Sequence, residues 1–173
     1  GWSDSPLTTK GVQQAKKIAK ILRDQKFDHV YSSTSERACD TTELILGSKG
    51  TYIREKGLKE FNFGLYEAQP EILQPKNFDV YEDFFVPFGG ESLTQNGHRM
   101  VNTLTKIMNR RDHNTVLAIS HGWSALNFLK MVDDASEAFE KGIPNAAILT
   151  FSFEQNNFNL LDIDRSVSDF KTE

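Results

Sequence analysis

The sequence predicts an α/β domain, a three-layer sandwich whose mostly parallel central sheet is flanked by helices and ends in a C-terminal antiparallel hairpin. Three observations carry this expectation. Segments with helical apolar spacing alternate with short strand-like segments, the pattern of crossover units around a parallel sheet. Residues 115–120 form a continuous apolar run of strand length (Thr-Val-Leu-Ala-Ile-Ser), as a central strand covered on both faces requires. The last two apolar segments are separated only by Gln155-Asn156-Asn157, which suits an antiparallel hairpin on the sheet edge. A length of 173 residues fits a single domain spanning the whole chain.

Each element has a local reason. Thr8 is placed to cap a first helix, along which Val12, Ala15, Ile18, Ala19 and Leu22 recur at helical spacing opposite Lys and Gln. Residues 27–32 read as a short strand. Ser35 is placed to cap a second helix that runs through Leu46 and stops at Gly47, and residues 51–54 form a second short strand. Residues 61–90 lack periodicity and are rich in aromatics and prolines, the mark of a lid-like excursion. Ser92 with Gln95 makes a capping box opening a helix to about Asn109. The apolar run 115–120 follows, then a helix after His121-Gly122, another over about 134–141, and the hairpin from 146–153 and 158–163.

Composition narrows the function classes. Hydrophobic residues are 38% and charged residues 25% of the chain, which is globular rather than disordered. A net charge of −4, a pI of about 5.6 and no basic run argue against a nucleic-acid or acidic-membrane surface, while leaving room for a local basic pocket. The single cysteine, Cys39, precludes an intrachain disulfide and reads as a small, partly buried helical residue in a reduced compartment. No stretch approaches the length of a membrane span. The expected location is cytoplasmic. The chain begins at Gly1 rather than Met, which leaves a preceding targeting segment open.

In parallel sheets, ligands bind beyond the carboxyl ends of the strands, and two such ends carry chemistry here. Ser32-Ser33-Thr34-Ser35-Glu36-Arg37 places Arg37 in the first turn of a helix. There its guanidinium is either a phosphate fork or a solvated surface group. Leu117-Ala118-Ile119-Ser120-His121-Gly122 ends a buried strand in an imidazole, with the backbone N–H of Gly122 close by. His121 taken alone is either a pocket residue or a satisfied half-buried histidine. Glu60 lies among apolar residues just before the excursion. Burial would fit it for general acid work, and its neighbour Lys59 would equally suit an exposed position.

Taken together and in order, these segments resemble the histidine phosphatase (phosphoglycerate mutase-like) superfamily. Gly1-Trp2-Ser3-Asp4-Ser5-Pro6-Leu7-Thr8-Thr9-Lys10-Gly11 is similar to the loop and helix start that follow that family's Arg-His-Gly motif. Ser32-Ser33 through Arg37-Ala38 to Thr41 resembles its second phosphate-binding arginine segment. Leu58-Lys59-Glu60 with Phe63-Gly64-Leu65-Tyr66-Glu67 resembles its acid–base glutamate segment. Gly90-Glu91-Ser92, Ser120-His121-Gly122 and Gly142-Ile143-Pro144-Asn145-Ala146 complete the likeness, which covers about residues 1–163. It implies a phosphate pocket in which one histidine is transiently phosphorylated, and a second histidine and two arginines stabilise the transferring group. A glutamate protonates the leaving oxygen. On this resemblance the candidate catalytic residues are His121, Glu60 and Arg37, the substrate-binding ones Arg37, His121 and Gly122, and no metal or other cofactor is expected.

The sequence also departs from the family pattern. None of its four histidines is preceded by arginine and followed by glycine. The nucleophilic histidine, the first arginine and the first strand are therefore expected in a leading segment outside this sequence, and the 173 residues alone are expected to lack phosphatase activity. Ala68 stands where the family often has glycine, and Trp123 after His121-Gly122 is placed to narrow the pocket. Between Tyr66 and Gly90 the excursion carries Glu67, Glu71, Asp79, Glu82 and Asp83 against Lys76 alone. An acidic lid disfavours a bisphosphate. The expected activity is hydrolysis of a small phosphorylated metabolite, with a homodimer compatible and neither nucleic acid nor membrane as partner. The alternatives are a phosphoglycerate mutase-type transferase and an inactive phosphate-binding module. Phe78, Tyr81, Phe84, Phe85 and Phe88 are expected to build core and lid rather than a dedicated aromatic site.

Overall fold

The computed structural model describes residues 1–75, 80–133, 138 and 141–167. Helix α1 (Thr9–Ile21) begins where Gly11 N–H donates to Thr8 Oγ1 at 3.1 Å. Strand β1 (His29–Ser32) leads into α2 (Glu36–Leu46), which stops at Gly47 with φ of 67°, a positive φ that glycine adopts without a Cβ penalty. Strand β2 (Ile53–Arg54) is two residues long. Across the excursion the described residues form short 3-10 turns, at Gly64–Tyr66, Glu71–Leu73 and Val86–Phe88. Helix α3 (Leu93–Met108) opens with the expected capping box, Gln95 N–H donating to Ser92 Oγ at 3.0 Å and Ser92 N–H to Gln95 Oε1 at 2.9 Å. Strand β3 (Val116–Ile119), helix α4 (Gly122–Val132) and strands β4 (Ile148–Glu154) and β5 (Asn157–Asp164) follow. The helix expected over about 134–141 lies largely outside the described residues.

Strands β2, β1 and β3 form a parallel sheet in that order, with His29 opposite Val116 and Ser32 opposite Ile119. Helices α1 and α2 pack together, as do α3 and α4, and α2 touches both β1 and β3. Tyr31 joins Met100, Ile107 and Phe128 in one buried cluster, so the α3–α4 pair covers the face of β1 that Tyr31 occupies, and alternation turns Val30 to the other. Cys39 is buried on α2. Among the described residues no helix is long and apolar enough to cross a membrane.

One expectation needs correction. Ser35 occupies the N-cap of α2 without a side-chain capping bond. Glu36 N–H donates instead to Asp4 Oδ1 at 2.7 Å, a charged acceptor favoured at a helix N-terminus. In the segment 115–120, among the described residues, β3 pairs with β1 alone and all four of its residues are only partly buried. Among the described residues the hairpin pairs only within itself, as a two-stranded antiparallel sheet. It turns tightly because Gln155 and Asn156 both take positive φ, 52° and 65°, the twist-matched geometry of a two-residue hairpin loop.

Helices α3 and α4 cross closely at Gly97, where a Cβ would stand 2.6 Å from Met131 Cγ and 2.9 Å from the Asn127 carbonyl oxygen. Alanine is intrinsically the better helix former by about 0.5–1 kcal/mol, but overpacking against backbone costs roughly 1–3 kcal/mol. Packing should win. Gly97→Ala is expected to destabilise the chain by about 1–2 kcal/mol, read as a lower urea midpoint at unchanged slope. A raised midpoint would place the helices further apart than described.

Candidate functional site

Because β1 and β3 run parallel and in register, their carboxyl ends lie side by side. The ladder continues one residue beyond the strands, with Ser33 N–H donating to Ile119 O at 2.8 Å. Each strand then feeds a helix, α2 after Ser35 and α4 after His121. Arg37, the second residue of α2, and His121, the N-cap of α4, thereby flank one edge of the sheet.

His121 Nε2 lies 2.8 Å from Ser33 Oγ. Burial, reinforced by the positive charge of Arg37 and then of Arg99 and Lys59, lowers the imidazole pKa from 6.5 to about 3. The group is therefore neutral at physiological pH, and the cations that act on it form a local basic pocket in an acidic protein. Arg37 donates from Nη1 to Ser3 O at 3.1 Å and from Nη2 to Gly1 O at 2.9 Å. A guanidinium has five N–H donors, so the rest of the fork has no acceptor among the described residues.

Glu60 is 8% exposed and sits on the N-terminus of α4. Its Oε1 accepts from Phe61 N–H at 2.8 Å and Ser124 N–H at 2.9 Å, and its Oε2 accepts only a long bond, 3.4 Å, from Trp123 N–H. Helix N-termini leave their first N–H groups unpaired. Two of the first three in α4 go to Glu60, and that of Gly122 has no acceptor among the described residues. Arg37, His121, Gly122 and Glu60, singled out in the sequence from three separate segments, thus converge on the amino ends of α2 and α4.

Several neighbours were not singled out as site residues. Ser33 was read only as part of the arginine segment. Glu67 ties down the first loop, accepting from Trp2 N–H at 2.6 Å, Ser3 N–H at 2.8 Å and Phe63 N–H at 3.0 Å. Arg99 and Glu91 pair at 2.6 Å, and only Glu91, within Gly90-Glu91-Ser92, lies in a segment the sequence marks. Trp123 is turned toward the excursion, stacked on Tyr81 with centroids 5.4 Å apart and planes 7° from parallel. Phe61, Phe63, Tyr81, Phe85 and Leu93 form a buried cluster against which Phe84 packs, so these aromatics build core beneath the lid. Phe88 is partly exposed, and Phe78 lies outside the described residues. The other histidines are elsewhere. His29 and His113 stack at the opposite strand ends, 3.7 Å apart, and His98 is exposed on α3. Among the described residues no cluster suited to a metal occurs.

The chain matches the histidine phosphatase superfamily (branch 1) over residues 1–165. It belongs to that superfamily. A probable phosphoglycerate mutase GpmB from Proteus mirabilis (strain HI4320) is 31% identical to it over 131 residues, which is 70% of this chain and 60% of that protein. The chain thus spans about 60% of the length of the curated relatives it matches. Among solved structures, Bacillus stearothermophilus YhfR superposes with a TM-score of 0.79 at 26% identity, covering 92% of this chain and 85% of that one. Phosphoserine phosphatase from Entamoeba histolytica, in complex with 3-phosphoglyceric acid, gives 0.74 at 26% identity, covering 95% and 86%.

The buried His121 makes this superfamily member sensitive to acid. A folded-state pKa of about 3 against 6.5 means that only the unfolded chain binds the proton between those values. Stability is full above pH 6.5 and falls as the pH drops toward 3, by up to about 5 kcal/mol. His121→Asn should flatten that part of the stability profile relative to the unsubstituted chain. Parallel acid limbs for the two would show that His121 titrates normally.

Proposed function

We propose that this chain forms most of a phosphohydrolase that removes the phosphoryl group from a small organic phosphomonoester through a phosphohistidine intermediate. The observation supporting this reading is the convergence of Arg37, His121 and Glu60 where two helices begin. The free part of the Arg37 fork and the Gly122 N–H offer donors for phosphoryl oxygens, and neutral His121 adds a further polar group at little desolvation cost. Preorganised donors of this kind favour the charge distribution of the transferring phosphoryl group.

None of the chain's own histidines other than His121 lies near this edge, so the attacking imidazole is proposed to come from residues outside these 173. In the first half-reaction the N–P bond forms as the bond from phosphorus to the leaving oxygen breaks, and Glu60 gives its proton to that oxygen. In the second, water attacks phosphorus, Glu60 takes up its proton, and the histidine departs with phosphate released. Oε2, held only by the long Trp123 contact, is the oxygen with room for that proton. The likeness to a probable phosphoglycerate mutase favours a transferase as second reading. The acidic excursion favours hydrolysis, because it repels the bisphosphate a mutase must retain.

The test uses protein expressed from the intact gene. His121→Ala should lower kcat by about two to four orders of magnitude, and near-normal turnover of p-nitrophenyl phosphate by that variant would remove His121 from the reaction. Glu60→Gln should cripple hydrolysis of alkyl phosphates, whose leaving groups need protonation, and largely spare aryl phosphates. Steady release of inorganic phosphate without a bisphosphate requirement is expected. Isomerised phosphoglycerate with little free phosphate would establish the transferase instead.

A further inference from the structure

Glu60 stands on a segment with no strand ladder to hold it. From Gly57 to Glu60 every backbone carbonyl accepts from a side chain. Arg99 Nη1 donates to Gly57 O at 2.6 Å and Lys59 O at 3.0 Å, and Nη2 to Glu60 O at 3.1 Å. Ser120 Oγ donates to Leu58 O at 2.8 Å, Ser124 Oγ to Lys59 O at 2.9 Å, and Trp2 Nε1 to Glu60 O at 2.7 Å. Arg99 supplies three of these six bonds and commits its remaining donors to Glu91, Nε to Oε1 at 2.6 Å and Nη2 to Oε2 at 2.9 Å. All five guanidinium N–H groups are therefore used, which fixes the fork in one orientation.

Glu91 is held in turn. It accepts from Asn62 N–H at 3.1 Å and from Asn96 Nδ2 at 3.2 Å, and buried Asn96 also donates to Ser124 Oγ at 3.2 Å. The pair thus grips both sides of Glu60: Arg99 holds the carbonyls of residues 57, 59 and 60, and Glu91 holds the amide of residue 62. A surface ion pair would contribute little, whereas this one is only 20% and 16% exposed at its two side chains and is saturated with hydrogen bonds.

We infer that Arg99, braced by Glu91, is a positioning residue that sets the Glu60 carboxyl at the amino end of α4 for proton transfer. The inference rests on the reading of Glu60 as the proton donor. Arg99 touches no reacting atom in this scheme and acts through the backbone of residues 57–60. Misplacing a reacting group by about 1 Å can cost on the order of 100-fold in rate, and Arg99 is the one side chain that spans three of the four carbonyls, with Ser120, Ser124 and Trp2 each holding one.

The experiment compares Arg99→Lys, Arg99→Ala and Glu60→Gln, in protein from the intact gene, on one alkyl and one aryl phosphate. Lysine keeps the charge beside Glu91 but cannot reach three carbonyls and a carboxylate at once. Arg99→Lys is expected to lower kcat on the alkyl phosphate by about 10- to 100-fold, to change aryl turnover far less, and to leave KM within about twofold on both. Millimolar guanidinium should restore part of the alkyl activity of Arg99→Ala. A merely structural role would lower both activities together with the melting temperature and show no selectivity for the leaving group, and that result overturns the inference. So does alkyl turnover by Arg99→Lys equal to the unsubstituted protein's while Glu60→Gln shows its selective loss. If Glu60→Gln itself loses both activities equally, the reading of Glu60 fails and the positioning role fails with it.

Discussion

Parallel pairing of β1 with β3 decides where everything else in the site can be. Neighbouring parallel strands point the same way, so the helices that follow them begin on one edge of the sheet. Here the register runs unbroken from His29 opposite Val116 to Ser32 opposite Ile119, and the Ser33–Ile119 bond carries it one residue further. A slip of one residue would turn each side chain of a strand to the opposite face and separate His121 from Ser33. With the register kept, α2 and α4 open side by side, and Arg37 and His121 need only the first turn of each to meet. Function follows from strand register more directly than from any single contact.

The electrostatics of that edge contrast with the chain as a whole. The net charge is −4, yet three positive side chains act on His121: Arg37, Arg99 and Lys59. Each is restrained without full neutralisation of the group. Arg37 is held by two carbonyls, which orient it and leave its charge intact. Lys59 lies over the Trp2 ring at 4.6 Å, a contact that favours a cation. Arg99 alone is matched by a carboxylate. The field left over is positive and confined to a partly buried place, where charges interact more strongly than in water. Such a field favours an anion of the kind the proposed substrate carries, while the acidic exterior repels anions elsewhere.

Fold class and the residues that meet at the candidate site were legible in the sequence because they rest on local signals. Helical spacing in α1, the Ser92–Gln95 box, and the glycine stop at Gly47 each act within one turn of chain, and each appears where it was expected. Arg37, Glu60, His121 and Gly122 were legible through their order along the chain together with their places next to strand ends. Partners across sequence were not. Asp4 displaces Ser35 as the cap of α2 from more than thirty residues away, and no pattern in either segment announces it. Arg99 reads as one more charge on an amphipathic helix until the carbonyls it grips are in place. Position within a sheet was equally hidden, since the apolar sequence of β3 is compatible with a paired or a free edge and periodicity records only faces.

The loops of the site share a further dependence, because their anchors are carboxylates rather than ladders. Burial pushes the pKa of Glu67 upward, but its bonds from Trp2, Ser3 and Phe63 N–H outweigh that, and the net shift is downward. Glu91 behaves alike, with burial opposed by the Arg99 fork, Asn96 and Asn62 and the balance again downward. A lowered carboxylate pKa contributes stability above the unfolded value, 4.5 for these groups, and that stability is lost as the pH falls through the folded one. His121 weakens the folded state on the same acid side, for the separate reason that its burial refuses a proton. The two anchors and the buried imidazole therefore fail together and in one direction. The packing around Tyr31 and Phe61 rests instead on buried apolar contact. Acid should release the loop of Glu67 and the clamp on residues 57–60 while the packing of α3 on α4 persists, so the part of the molecule that positions chemistry is also the part most open to protons.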